Sequence, residues 1–146
     1  MEFTGNIRES KEADLSWRIE VSSLCIFAYG GTRKEVFERL HDLIITSLEL
    51  HFKENLQKGF KLDIIDHGDG TVGVEGSDQK VLMALALRKQ RERKGSSVRQ
   101  VSGKMGSSSP AAYARYEKGE ISMSLEKFDQ LLKAIDSKHT LFLTIH

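Results

Sequence analysis

Residues 98–119, VRQVSGKMGSSSPAAYARYEKG, constrain this chain more than any other stretch. Val98, Val101 and Met105 share one side at helical spacing, so residues 98–105 read as a short helix. Gly106-Ser107 breaks it, because glycine adopts the backbone angles that a sharp turn between helices requires. Ser108 or Ser109 then offers an N-cap oxygen. Pro110, the one proline of the chain, suits a first helical position, where its missing N–H has no intrahelical use. A second helix follows through Ala111, Ala112, Tyr113, Ala114, Arg115 and Tyr116, and Gly119 stops it. Two short helices around a glycine turn make a helix-turn-helix. The slim, arginine-bearing face of the second suits the major groove, so the stretch points to DNA binding.

Charge supports the same division. Residues 1–76 hold 9 Lys+Arg against 14 Asp+Glu, a net −5, and residues 77–146 hold 13 against 7, a net +6. The two sum to the +1 of the 146-residue chain. A basic helical half suits polyphosphate, whereas an acidic half avoids DNA and attracts basic protein. We therefore expect two modules, residues 1–76 and 77–146, within an α+β chain.

In the first module, residues 2–9 alternate weakly, and Trp17, Ile19 and Val21 alternate clearly. Residues 24–29, LCIFAY, are densely apolar and predict a strand central in the sheet. Asp14 with its neighbours and Ser22-Ser23 supply turns, completing a three-stranded antiparallel meander. The T-x-x-E of Thr32 and Glu35 predicts a capping box. It opens a long helix with Val36, Phe37, Leu40, Leu43, Ile44, Leu48 and Phe52 as its apolar stripe, ending before Gly59. Residues 60–65 alternate as a strand, residues 66–70 (DHGDG) form a turn, and residues 71–75 add a short strand. Ser77 is placed to cap a helix over residues 78–94, buried through Val81, Leu82, Leu85 and Ala86, with a basic tail favourable against the helix dipole. Beyond the helix-turn-helix, Ser124 caps a last helix whose Leu125, Phe128, Leu131, Leu132 and Ile135 are core. Residues 140–145, TLFLTI, predict a terminal strand needing a sheet edge in this chain or a second copy, which favours a dimer.

The order of elements resembles the HicB antitoxins of HicAB toxin–antitoxin systems, in the subgroup ending in a lambda-repressor-like domain. Residues 21–38, VSSLCIFAYGGTRKEVFE, are similar to the family's strand, small-residue turn, Gly-x-Thr and amphipathic helix. Residues 97–119, with their Tyr-x-Arg-Tyr-Glu-x-Gly ending, are similar to its repressor-type helix-turn-helix. The resemblance implies an N-terminal partial ribonuclease-H-like sheet that blocks a small, basic, mRNA-cleaving HicA-type toxin. It further implies a C-terminal domain that binds operator DNA and represses the pair's own operon. A free-standing, phage-type repressor with a dimerising or ligand-sensing N-terminal domain is the alternative, and an RNA-processing enzyme a third.

The residues expected to meet DNA are Arg99, Lys104, Ser107, Ser108, Ser109, Arg115 and Lys118. Arg115 has a rival role as ion-pair partner of Glu117 or Glu120, and the serines as caps. Tyr113 and Tyr116 read as packing residues. The five histidines show no metal-ligand spacing, and Cys25, alone in the chain, reads as buried packing in a strand. No nucleophile motif or phosphate-cradling glycine loop occurs, and nothing brings Glu9, Glu20 and Asp63 together on a metal. We thus expect no catalysis, metal or cofactor. Lacking a membrane-length apolar run, a signal-peptide pattern and paired cysteines, the chain reads as cytoplasmic.

Overall fold

The hydrophobic alternation of the first module is resolved as one sheet with a buried and an open face. A computed structural model of the chain describes residues 1–11, 15–106 and 109–141. Its strands are β1 (Phe3–Glu9), β2 (Trp17–Val21), β3 (Ile26–Gly30), β4 (Leu62–Asp66) and β5 (Thr71–Gly76), in the spatial order β3-β2-β1-β5-β4 and antiparallel throughout. Register aligns Ile7 with Ile19 and Ile19 with Ala28, so their side chains share a face. Phe3, Val21, Ile26, Val72 and Val74 are buried on that face too. The expected turn at Asp14 lies outside the described residues.

Helix α1 (Arg33–His51) covers this face, with Thr32 as N-cap accepting from the Glu35 amide. It touches β2 and β3 and also β4 at the opposite edge, which requires the sheet to curl around it. Gly30 makes the approach possible: a Cβ there would stand 2.6 Å from the Val36 nitrogen. Of the predicted stripe, Val36, Leu40, Ile44, Leu48 and Phe52 are buried, Phe37 is half-buried, and Leu43 is exposed. The helix ends at His51, and a short α2 (Lys53–Gln57) completes the run before Gly59.

Three sequence expectations are corrected. The apolar run 24–29 is not a central strand: β3 lies at an edge, and its density reflects cover by α1. The centre is β1, whose alternation looked weak because it contains Gly5, where a Cβ would meet the Glu20 carbonyl at 2.7 Å. Cys25 is not in a strand. It closes a 3-10 turn over Ser22–Leu24 at φ 52°, half-buried, with burial pushing its thiol up despite nearby Arg93 and Lys89. Ser77 does not cap the next helix either. Its hydroxyl accepts from the Lys61 amide, extending the β4–β5 ladder, and Asp78 takes the cap by accepting from Lys80.

That helix, α3 (Gln79–Lys94), is buried at every position from Val81 to Leu87. Sequence reading found one apolar side, but a helix apolar all round must be covered all round. The sheet side, through β5 and the 22–24 turn, covers one flank, and helices α5 (Pro110–Glu117) and α6 (Leu125–Ile135) cover the other. Buried Gln90 donates to the carbonyls of Ser22 and Ser23 at 3.0 Å each, tying α3 to the turn. Sheet and helices consequently share one hydrophobic core, with Phe3 of β1 edge-on to Phe128 of α6 at 6.2 Å. Of the predicted α6 core, Leu125 alone is exposed. The expected terminal strand falls largely outside the described residues.

Gly30→Ala drives a methyl group into the first turn of α1. It is expected to destabilise the protein by roughly 1–3 kcal/mol, read from the urea midpoint followed by fluorescence of Trp17, the single tryptophan.

Candidate nucleic-acid interface

Local chemistry dictates each boundary of the helical half. Gly95, at φ 74°, ends α3 in the left-handed conformation. Ser97 opens α4 (Val98–Lys104) with a reciprocal capping box: its hydroxyl accepts from the Gln100 amide, and the Gln100 carboxamide accepts from the Ser97 amide. Gly106, at φ 76°, makes the turn. Of the two serines that the sequence offers as cap, Ser109 takes the role at α5, and Pro110 takes its first position. The hydroxyl of buried Ser102 donates to the Ser109 carbonyl at 2.7 Å, pinning the start of α5 to α4. Gly119 at φ 72° follows α5, and Ser124 caps α6.

Helix α5 is held by a buried ion pair. Tyr113 is fully buried and Glu117, one turn on, is 2% exposed. The Arg91 guanidinium from α3 donates to both Glu117 oxygens, at 2.8 and 2.6 Å, and to the Ser96 carbonyl at 2.9 Å. Arg88 Nε lies 3.8 Å from the same carboxylate. Burial pushes the Glu117 carboxyl up, but the Arg91 hydrogen bonds reverse this and hold it below the ordinary glutamate value. Burial, then the adjacent carboxylate, pushes the Tyr113 phenol up. Bidentate contact of this kind fixes orientation as well as distance.

Fixing the inner face of α5 defines the outer one. Ala111, Ala112, Arg115 and Lys118 are exposed, with Ala111, Arg115 and Lys118 spaced four and three residues apart along one stripe. Arg115 Nε reaches Glu120 at 3.5 Å, both side chains more than half exposed. The alternative partner suggested by sequence, Glu117, belongs instead to Arg91. On α4, Arg99 and Lys104 are exposed, as is Ser109, whose hydroxyl accepts from the Ala111 amide. Ser107 and Ser108 lie outside the described residues. Tyr116 is half-buried with the Lys127 ammonium 5.5 Å from its ring centre, and Tyr113 is core.

Sequence reasoning did not assign Arg91 and Glu117 their positioning role. A signal existed: Glu117 is four residues from Tyr113 and so shares its buried face. The basic run 88–94 is accordingly divided, with Arg88 and Arg91 turned to Glu117 and Lys94 3.5 Å from Asp136. Among the described residues no group of three or more His, Cys, Asp or Glu is placed to hold a metal, Glu9, Glu20 and Asp63 included. No helix among them is long and apolar enough to cross a membrane.

Residues 87–142 match the helix-turn-helix family model, a span that runs from the middle of α3 past α6. This part of the chain is a lambda-repressor-like helix-turn-helix domain, a DNA-binding class of transcription regulators. No curated protein matches the chain.

Leaving part-buried Arg91 without its carboxylate partner, Glu117→Ala is expected to cost about 3 kcal/mol in chemical denaturation. Because the folded carboxyl titrates below its unfolded value of about 4.3, its contribution is complete above that value and fades as pH falls through the folded one. The stability difference between wild type and Glu117→Gln should therefore narrow as urea midpoints are followed from pH 6 to pH 3.

Proposed function

We propose that this protein is a DNA-binding repressor whose sheet half captures a basic protein partner, acting as the antitoxin and autorepressor of a HicAB-like pair. It acts by binding, not by catalysis. The observation carrying the DNA half is the outer stripe of α5: small Ala111 and Ala112 let the helix enter a groove, Arg115 and Lys118 supply cations, and buried Glu117 stops the helix from rolling. Arg99, Lys104 and Ser109 flank the stripe and serve as phosphate contacts. Repressors of this class read two half-sites about one helical turn apart as dimers, and we assign that state here.

Support for the antitoxin half comes from the strand-strand-strand-helix-strand order ahead of the helix-turn-helix and from the −5 charge of residues 1–76. An acidic surface steers toward a basic RNA-binding protein and discriminates against nucleic acid. In this reading the sheet is the ribonuclease-H-like part of the resemblance.

Two experiments test the proposal. With DNA from immediately upstream of the gene, Arg115→Ala should weaken binding roughly tenfold or more, and Lys118→Ala should lower the log–log salt slope by about 1. Full affinity in both variants removes α5 from the interface. Separately, the short reading frame beside the gene should arrest growth when expressed alone, and its product should copurify with this protein as growth recovers. A harmless neighbour leaves a free-standing repressor.

A further inference from the structure

The two edges of the sheet differ in what surrounds them. At the start of the β3 edge, Arg93 and Lys89 of α3 lie near Cys25, the residue preceding that strand. The β4 edge is acidic. Among the described residues β4 pairs with β5 alone, so its outer backbone groups meet no strand. Beside it the seam between α1 and β4 opens as a groove with Phe37, Leu62 and Ile64 as its apolar lining. At one end Arg33 pairs with Asp66 and Lys34 lies 3.8 Å from Glu38, so that end is close to neutral. At the other, Asp42 and Asp63 stand with one imidazole, His41. The Asp42 side chain is 84% exposed and that of His41 45% exposed.

We propose that this groove receives an extended, lysine- or arginine-bearing segment of a protein partner, which adds to β4 as a sixth strand. Main-chain hydrogen bonds to a free edge supply affinity in such additions, and side-chain pockets supply selectivity. Alternate residues of the incoming strand face the Phe37, Leu62 and Ile64 lining on the helix side, where Asp42 of α1 stands, and the residues between them carry cations past Asp63 on the outer side. Charge chooses the occupant. A second copy presenting its own β4 would set carboxylate against carboxylate, and nucleic acid is repelled by the same groups. This inference rests on the partner-binding reading above and locates it.

The test uses the full chain and two capped ten-residue peptides, one alternating lysine with valine and one alternating glutamate with valine. The lysine peptide should bind saturably, weaken as salt rises, and slow amide hydrogen exchange across residues 62–66; the glutamate peptide should not. Asp42→Lys with Asp63→Lys, two exposed positions, should weaken binding at least tenfold while Trp17 fluorescence and the urea midpoint stay unchanged. Absence of saturable binding by the lysine peptide, or protection at β3 or on the open face instead, overturns the proposal. If the basic product of the adjacent reading frame copurifies equally with wild type and the double variant, this surface is wrong and the antitoxin reading survives. If the peptide docks on β4 while no neighbour copurifies, the groove stands and that reading falls.

Discussion

A helix that is apolar on every side has to be enclosed before anything else can settle, and α3 imposes that condition here. Residues Val81 to Leu87 leave it no solvent face. The sheet supplies half of the enclosure and the helix-turn-helix the other half. The Gln90 bonds to Ser22 and Ser23, and the Arg91 bonds to Glu117, leave α3 from neighbouring positions toward opposite modules. The orientation of the α5 stripe is thereby referenced to the sheet through one rigid element. A buried charge pair is not an efficient source of stability, since desolvation offsets most of its attraction. What the Arg91–Glu117 pair contributes is a two-point, directional attachment of α5 to α3.

Where the physics is local, the sequence was readable. Thr32, Ser109 with Pro110, and Ser124 announce helix starts through hydroxyl caps and proline geometry, and each start lies where that chemistry places it. The meander and the β4–β5 hairpin follow from period-two alternation and from glycines at φ 77° and 87° in the turn between them. What escaped reading depends on contacts remote in sequence. Strand order is one case: apolar density marked β3 as central when it marked cover by α1, and Gly5 hid the true centre. Ser77 is another, since its hydroxyl is claimed by Lys61 across the sheet. Glu117 is the sharpest, because a glutamate near a helix end reads as solvated until Arg91 arrives from another helix.

Net charge alone would also mislead about the DNA-facing surface. The most basic run of the chain, residues 88–94, directs Arg88 and Arg91 inward and pairs Lys94 with Asp136. The cations left on α4 and α5 are Arg99, Lys104, Arg115 and Lys118, and Arg115 is shared with Glu120. Fields of this modest size steer association, and the shape of the outer face of α5 is left to set register in the proposed DNA complex. Geometry outweighs charge count in this half, and the reverse holds along the acidic β4 seam.

The edge-to-face contact of Phe3 with Phe128 joins the first strand to the last described helix. Because β1 is also the centre of the sheet, its two neighbours come from residues 17–21 and residues 71–76. A chain emerging from the ribosome can form the β1–β2–β3 meander early, yet that sheet stays open along one side of β1 until β5 appears. The apolar face next to Phe3 then waits for α6, almost the whole chain later. Loop closure over such separations slows folding and prolongs exposure of apolar surface. Arrival of α6, rather than completion of the acidic half, is the event that closes the core, so the nascent sheet depends on the helix-turn-helix half of its own chain to become finished.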